Sequence, residues 1–89
     1  MPYIHGDRRR PLDPKVHKLA QEVDTPGELN YAITTLCDLV LAKAGQDYAG
    51  LNSIIGVLEC AKLEFYRRVL APYEFKKMTE NGDVYNVER

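Results

Sequence analysis

Leu51-Asn-Ser-Ile-Ile-Gly-Val-Leu-Glu-Cys-Ala-Lys-Leu-Glu-Phe-Tyr-Arg-Arg-Val-Leu70 is the stretch whose reading decides the fold. It holds no proline and no cluster of turn residues, so it reads as one long helix. At 100° per residue, Leu51, Ile54, Leu58, Ala61, Phe65 and Val69 fall on a single stripe. Apolar residues continue beyond that stripe, with polar ones between them. A helix of this kind cannot rest on a small core with its back to water, so it is expected to be central or buried in an oligomer.

Upstream, Thr25-Pro-Gly-Glu28 has the pattern of a capping box: Thr at the N-cap, Pro first, Glu third. The spacing predicts a helix over 26–44, ended by Gly45. Leu29, Ala32, Ile33, Leu36, Leu39, Val40 and Ala44 are its expected core stripe, turned to the long helix. Earlier still, Pro2, Gly6 and Pro11 argue for an extended arm over 1–12. Asp13 is the expected cap and Pro14 the first position of an amphipathic helix over 14–23, with Val16, Leu19, Ala20 and Val23 on its face. Downstream of the long helix (48–71, capped by Asp47), Pro72 predicts a kink or break at Ala71. A last helix over 72–81 then stops at Asn81-Gly82, followed by a tail, 83–89, in which Val84, Tyr85 and Val87 could dock. The expected fold is all-α: a single domain, a small bundle of three to four helices with an extended N-terminal arm and a C-terminal tail.

The chain has 89 residues, which limits the core it can build alone. Small domains compensate with disulfides, a metal or self-association. Cys37 and Cys60 both fall inside predicted helices and read as reduced, small apolar residues. His5 and His17 have no ligand-type spacing to either cysteine, so no metal is expected. Self-association remains. Net charge is −1, with Lys+Arg 12 against Asp+Glu 13, which argues against a nucleic-acid partner. No apolar run is long enough to span a bilayer, and Met1-Pro-Tyr-Ile-His-Gly-Asp7 lacks the apolar core of a signal peptide. The expected setting is the cytoplasm.

Three faces of the long helix matter for function. Beside the apolar stripe run Asn52, Glu59 and Tyr66, with Lys62 at the border, so Glu59, Lys62 and Tyr66 are placed to touch one another. This strip is either an ion pair at the edge of the core or the wall of a pocket. A further face carries Ser53, Gly56, Cys60, Leu63 and Arg67. Gly56 in mid-helix costs about 1 kcal/mol against Ala, and close approach of another helix is the ordinary reason for accepting it. Glu64 with Arg67 and Arg68 reads as a solvated charge cluster.

Nothing in the sequence forms a nucleophile elbow, a phosphate-cradling loop or a zinc pattern. Glu59 and Glu64 point about 140° apart on a helix, so the carboxylates are not clustered for magnesium. Enzymatic turnover of nucleotides is therefore the weakest of three readings, and no cofactor is expected. Binding of an anion fits the residues better. Arg8, Arg9 and Arg10 would close over phosphate, and Lys62, Arg67 and Arg68 would supply charge from the long helix. Tyr66 and Tyr3 would stack or orient, with Asn52 and Glu59 in support. The alternative is a protein-interaction module, an adaptor or inhibitor of another protein, using the tyrosine-rich arms and the third helix face as the contact patch.

Several segments carry a family resemblance: Met1-Pro-Tyr-Ile4, Leu12-Asp13, Thr25-Pro-Gly-Glu-Leu-Asn-Tyr-Ala-Ile33, Ile55 to Val69, Pro72-Tyr-Glu74 and Glu80-Asn-Gly-Asp-Val-Tyr85. By them the chain resembles the small proteins of unknown function found widely in tailed phages, prophages and metagenomic bacterial sequences. The resemblance implies a phage-encoded protein acting in the host cytoplasm. By analogy of size, source and charge pattern with small oligomeric phage sponges, it suggests sequestration of a nucleotide signal of host immunity, such as a cyclic nucleotide or an ADP-ribose-type molecule.

Overall fold

The structure, a computed structural model, describes residues 1–86. Val87, expected to help the tail dock, and the rest of the tail to Arg89 lie outside the described residues. The described chain is all-α, with no strand. Helix α1 spans Gly6–Arg9, α2 Asp13–Glu22, α3 Pro26–Ala44 and α4 Tyr48–Phe65; a π turn, Tyr66–Leu70, leads into α5, Ala71–Asn81.

The arm is not wholly extended, as expected from its prolines, because α1 forms between Pro2 and Pro11. The His5 ring nitrogen Nδ1 accepts the Asp7 amide at 3.1 Å and caps it. Asp7 lies in its first turn and Arg8 and Arg9 in its last, which suits the helix dipole. Asp13 does not cap α2. Leu12 already has helical torsions (φ −87°, ψ −35°), so Asp13 is the first residue of the helix. The chain turns directly from α1 into α2, with the Leu12 amide on the Arg9 carbonyl at 3.0 Å and the Val16 amide on the Leu12 carbonyl at 3.0 Å.

The capping box of α3 is complete. Thr25 Oγ1 accepts the Glu28 amide at 3.1 Å, and Glu28 Oε1 accepts the amides of Thr25 and Asp24, both at 2.9 Å. Gly45 ends α3 at φ 101°, a torsion that favours glycine. Asp47 caps α4 by accepting the Gly50 amide at 2.8 Å. The chain folds so tightly here that a Cβ on Gly50 would lie 2.5 Å from the Gly45 carbonyl oxygen.

No break occurs at Ala71. Leu70 and Ala71 keep right-handed helical torsions, and the helix is continuous from Tyr48 to Asn81. Pro72 has no N–H for the Arg68 carbonyl, and its ring would press on that carbonyl in a regular α-helix. The chain accommodates it by widening: the Ala71 amide bonds to the Tyr66 carbonyl, five residues back. The result is a rod of roughly 50 Å at 1.5 Å per residue, matching the 50 Å long axis of the molecule.

The rod leaves the bundle open. The expected seam between the Leu51–Val69 stripe and α3 is closed only near the turn, where Leu41, Gly50 and Ile54 are partly covered. Phe65, further along the stripe, is 66% exposed. The Leu29–Leu36 half of α3 instead shares an open apolar cleft of about 300 Å³ with Val16, Leu19 and Ala20 of α2 and with Val23 just after it. No helix approaches Gly56, where an added Cβ would meet no atom within 4 Å. Among the described residues no side chain is buried. The radius of gyration is 17.4 Å, against about 12 Å for a compact chain of this length.

Candidate functional site

The one long-range polar junction among the described side-chain hydrogen bonds joins the arm to the rod. The Tyr3 hydroxyl donates to Glu64 Oε1, bridging the N-terminal arm to the last turn of α4. The other carboxylate oxygen, Oε2, accepts from Arg67 at 2.7 Å. Arg67 is one turn after Glu64 on the same helix, so this pair forms locally. Tyr3 comes from the arm ahead of α1, where Arg9 Nε of α1 holds the neighbouring Ile4 carbonyl. The Glu64 side chain is only 19% exposed, the least exposed of the ion-paired side chains.

The electrostatics follow from this geometry. The Tyr3 hydroxyl, and after it Arg67, holds the Glu64 carboxyl below the ordinary carboxylate range, with Arg68 adding a smaller push in the same direction. Reciprocally, donation to Glu64 raises the Tyr3 phenol above its ordinary value, because ionisation would remove the donor proton and set two anions together.

The expected cations fall into two groups. Most are engaged locally. Arg9 Nε donates to the Ile4 carbonyl at 2.6 Å, and Arg10 pairs with Asp7. Lys62 pairs with Glu59 at 3.1 Å on an exposed face. The triplet Arg8-Arg9-Arg10 is therefore not a single phosphate clamp: two of its members stabilise the arm's own turn. Arg8 and Arg68 form no ion pair or hydrogen bond among the described residues, and Arg67 retains donors beyond the one given to Glu64.

The Glu59-Lys62-Tyr66 strip does not close on itself. Glu59 and Lys62 meet, but the Tyr66 side chain turns to an open groove of about 770 Å³ with Leu70, Phe75, Met78 and Val84. Asn52 is exposed and makes no side-chain hydrogen bond among the described residues. The residue that sequence reasoning undervalues is Glu64, which reads as part of a solvated cluster. Its spacing to Arg67 is visible. Its partnership with Tyr3, 61 positions away, leaves no periodic signal.

Among the described residues no group of three or more His, Cys, Asp or Glu side chains is placed to hold a metal ion. No helix there is long and apolar enough to cross a membrane. Comparison with curated proteins and with solved structures finds no match. A family model does match, over residues 1–84, nearly the whole chain, from the arm's Tyr3 through Glu64 and Arg67 to the groove along α5. The chain thus belongs to the family described as a domain of unknown function, DUF6899.

Proposed function

We propose that the chain is a non-catalytic binding protein that works as a homo-oligomer and takes an anionic, nucleotide-like small molecule at a site between copies. The observation that carries this reading is the accessible area of 8312 Å². A compact monomer of 10.1 kDa would expose about 5,300 Å². The excess of about 3,000 Å² per chain is of the size that obligate oligomers bury. Its apolar part needs cover, and a second copy supplies a matching surface at the same concentration. Arg8 and Arg68 then offer cations with no ion-pair contact among the described residues, Arg67 is held in place by Glu64, and Tyr66 presents a ring for stacking. The resemblance to small phage proteins gives the setting: a phage-encoded protein that withdraws a signal of host immunity.

Calorimetric titration with cyclic dinucleotides, cyclic trinucleotides and ADP-ribose derivatives tests the ligand. Binding heat that Arg68→Gln weakens at least tenfold is expected. No heat for any of these at tens of micromolar protein removes the ligand from the proposal. A second reading, a protein-interaction module directed at a host protein, is favoured by Tyr31 and Tyr48, which stand 72% and 82% exposed on helix surfaces. A stoichiometric host partner in a pull-down, together with silent calorimetry, would favour it.

A further inference from the structure

The homo-oligomer reading leaves open which surfaces meet, and the geometry points to one pairing. We infer that α5 of one copy seats its Phe75–Met78 face in the α2–α3 cleft of a second copy, and that the second copy returns the same contact. The inference rests on self-association as proposed above.

Reach is the first argument. Helix α3 has 19 residues, roughly 28 Å of helix. Helix α4 and the π turn carry α5 roughly 35 Å from the same turn before it begins. The last helix therefore projects past the end of α3 and makes no extended contact with α2 or α3 of its own chain. Phe75 is left 66% exposed on it, at a groove that Val84 and Tyr85 border but leave open.

The cleft is the complementary half. It is lined by Val16, Leu19, Val23, Leu29, Ile33 and Leu36 with alanines between them, so only an apolar occupant avoids a desolvation cost. Charge at the margins agrees. Among the described residues Lys15 and Lys18 on α2 form no ion pair, and neither does Glu74 on α5. Seating α5 in the cleft of another copy sets these opposite signs on neighbouring rims. A two-fold arrangement makes the contact twice, which suits the large unburied area of each chain.

The experiment uses the full chain. A photo-reactive benzoylphenylalanine replaces Phe75, and a mixture of ¹⁴N- and ¹⁵N-labelled protein is irradiated and mapped by mass spectrometry. Mixed-isotope cross-links from position 75 into residues 13–36 are expected. Light scattering on the same sample separates the two claims. An oligomer whose cross-links fall elsewhere, or that forms none, overturns this pairing and leaves self-association standing. A monomer overturns both. As a second arm, Leu19→Lys and Phe75→Glu should each weaken the oligomer at least tenfold alone. Mixing the two variants should restore a heteromeric complex, because the introduced ammonium of one then faces the introduced carboxylate of the other. Failure to restore it in two helical, soluble variants counts against the pairing.

Discussion

At the scale of single residues, short-range geometry makes sharp demands. Gly50 lies where a Cβ would meet the Gly45 carbonyl oxygen at 2.5 Å and Asp47 Oδ1 at 3.1 Å. Neither neighbour can yield freely: one is backbone and the other caps α4. Gly50→Ala should therefore destabilise the fold by about 1–3 kcal/mol, the usual cost of forced overpacking, read as a lowered urea midpoint. The Tyr3–Glu64 bond sets a pH window for docking of the arm. Glu64 is held below its ordinary value of 4.5, so its contribution is complete above that value and is lost as pH falls through the lowered one. Tyr3 is held above 10.0, so its contribution is complete below that value and fades as pH rises through the raised one. Protection of the arm from proteolysis should thus be flat through neutral pH and fall at both extremes. Tyr3→Phe should loosen the arm throughout the plateau. Equal protection of wild type and variant at pH 7 would show that the hydrogen bond does not hold the arm.

At the scale of elements, much is legible in the sequence because the signals are local. The Thr25–Glu28 box, Asp47, Gly45 and Gly82 act within one helical turn of themselves, and each bounds a helix where its chemistry requires. Pro72 is legible only as a disturbance. Whether a proline breaks a helix or is absorbed by a π turn depends on what the helix gains by continuing, and that is not a local quantity. The turn has a consequence for register. It inserts one extra residue, so each later residue takes the angular place of its predecessor. In a regular helix, Pro72 and Lys76 would follow Phe65 and Val69 on the apolar stripe. With the π turn, Tyr73 and Lys77 do, and Lys77 lies 5.7 Å from the centre of the Tyr73 ring. Pro72→Ala removes the steric reason for widening. Helical content by circular dichroism should hold or rise, while Phe75, turned by the same step away from the partner's cleft, should cost the assembly about 1.5–3 kcal/mol, roughly ten- to a hundredfold in association. Unchanged association by sedimentation would mean that the register of α5 does not matter to the assembly.

At the scale of the whole molecule, the periodicity of each helix is readable, but which stripe meets which is not. The Leu29–Leu36 stripe is expected to face the long helix; it opens instead toward α2, because apolar residues on several sides of α3 and α4 leave no single pairing preferred. An isolated chain of this shape lacks the main source of folding free energy. With no buried side chain among the described residues, hydrophobic burial cannot offset a conformational entropy cost of about 1–2 kcal/mol per backbone residue. Folding and association should then be one process, and the thermal midpoint should depend on protein concentration. For a chain whose folded state exists only in the assembly, dilution favours the unfolded monomer by mass action. Scanning calorimetry from a few micromolar to about a hundredfold higher should show the midpoint climbing by several degrees, with one cooperative transition throughout. A midpoint independent of concentration, from a species that light scattering reports as a monomer, would mean that the chain closes its apolar faces on itself. The Leu51–Val69 stripe would then be an ordinary internal seam.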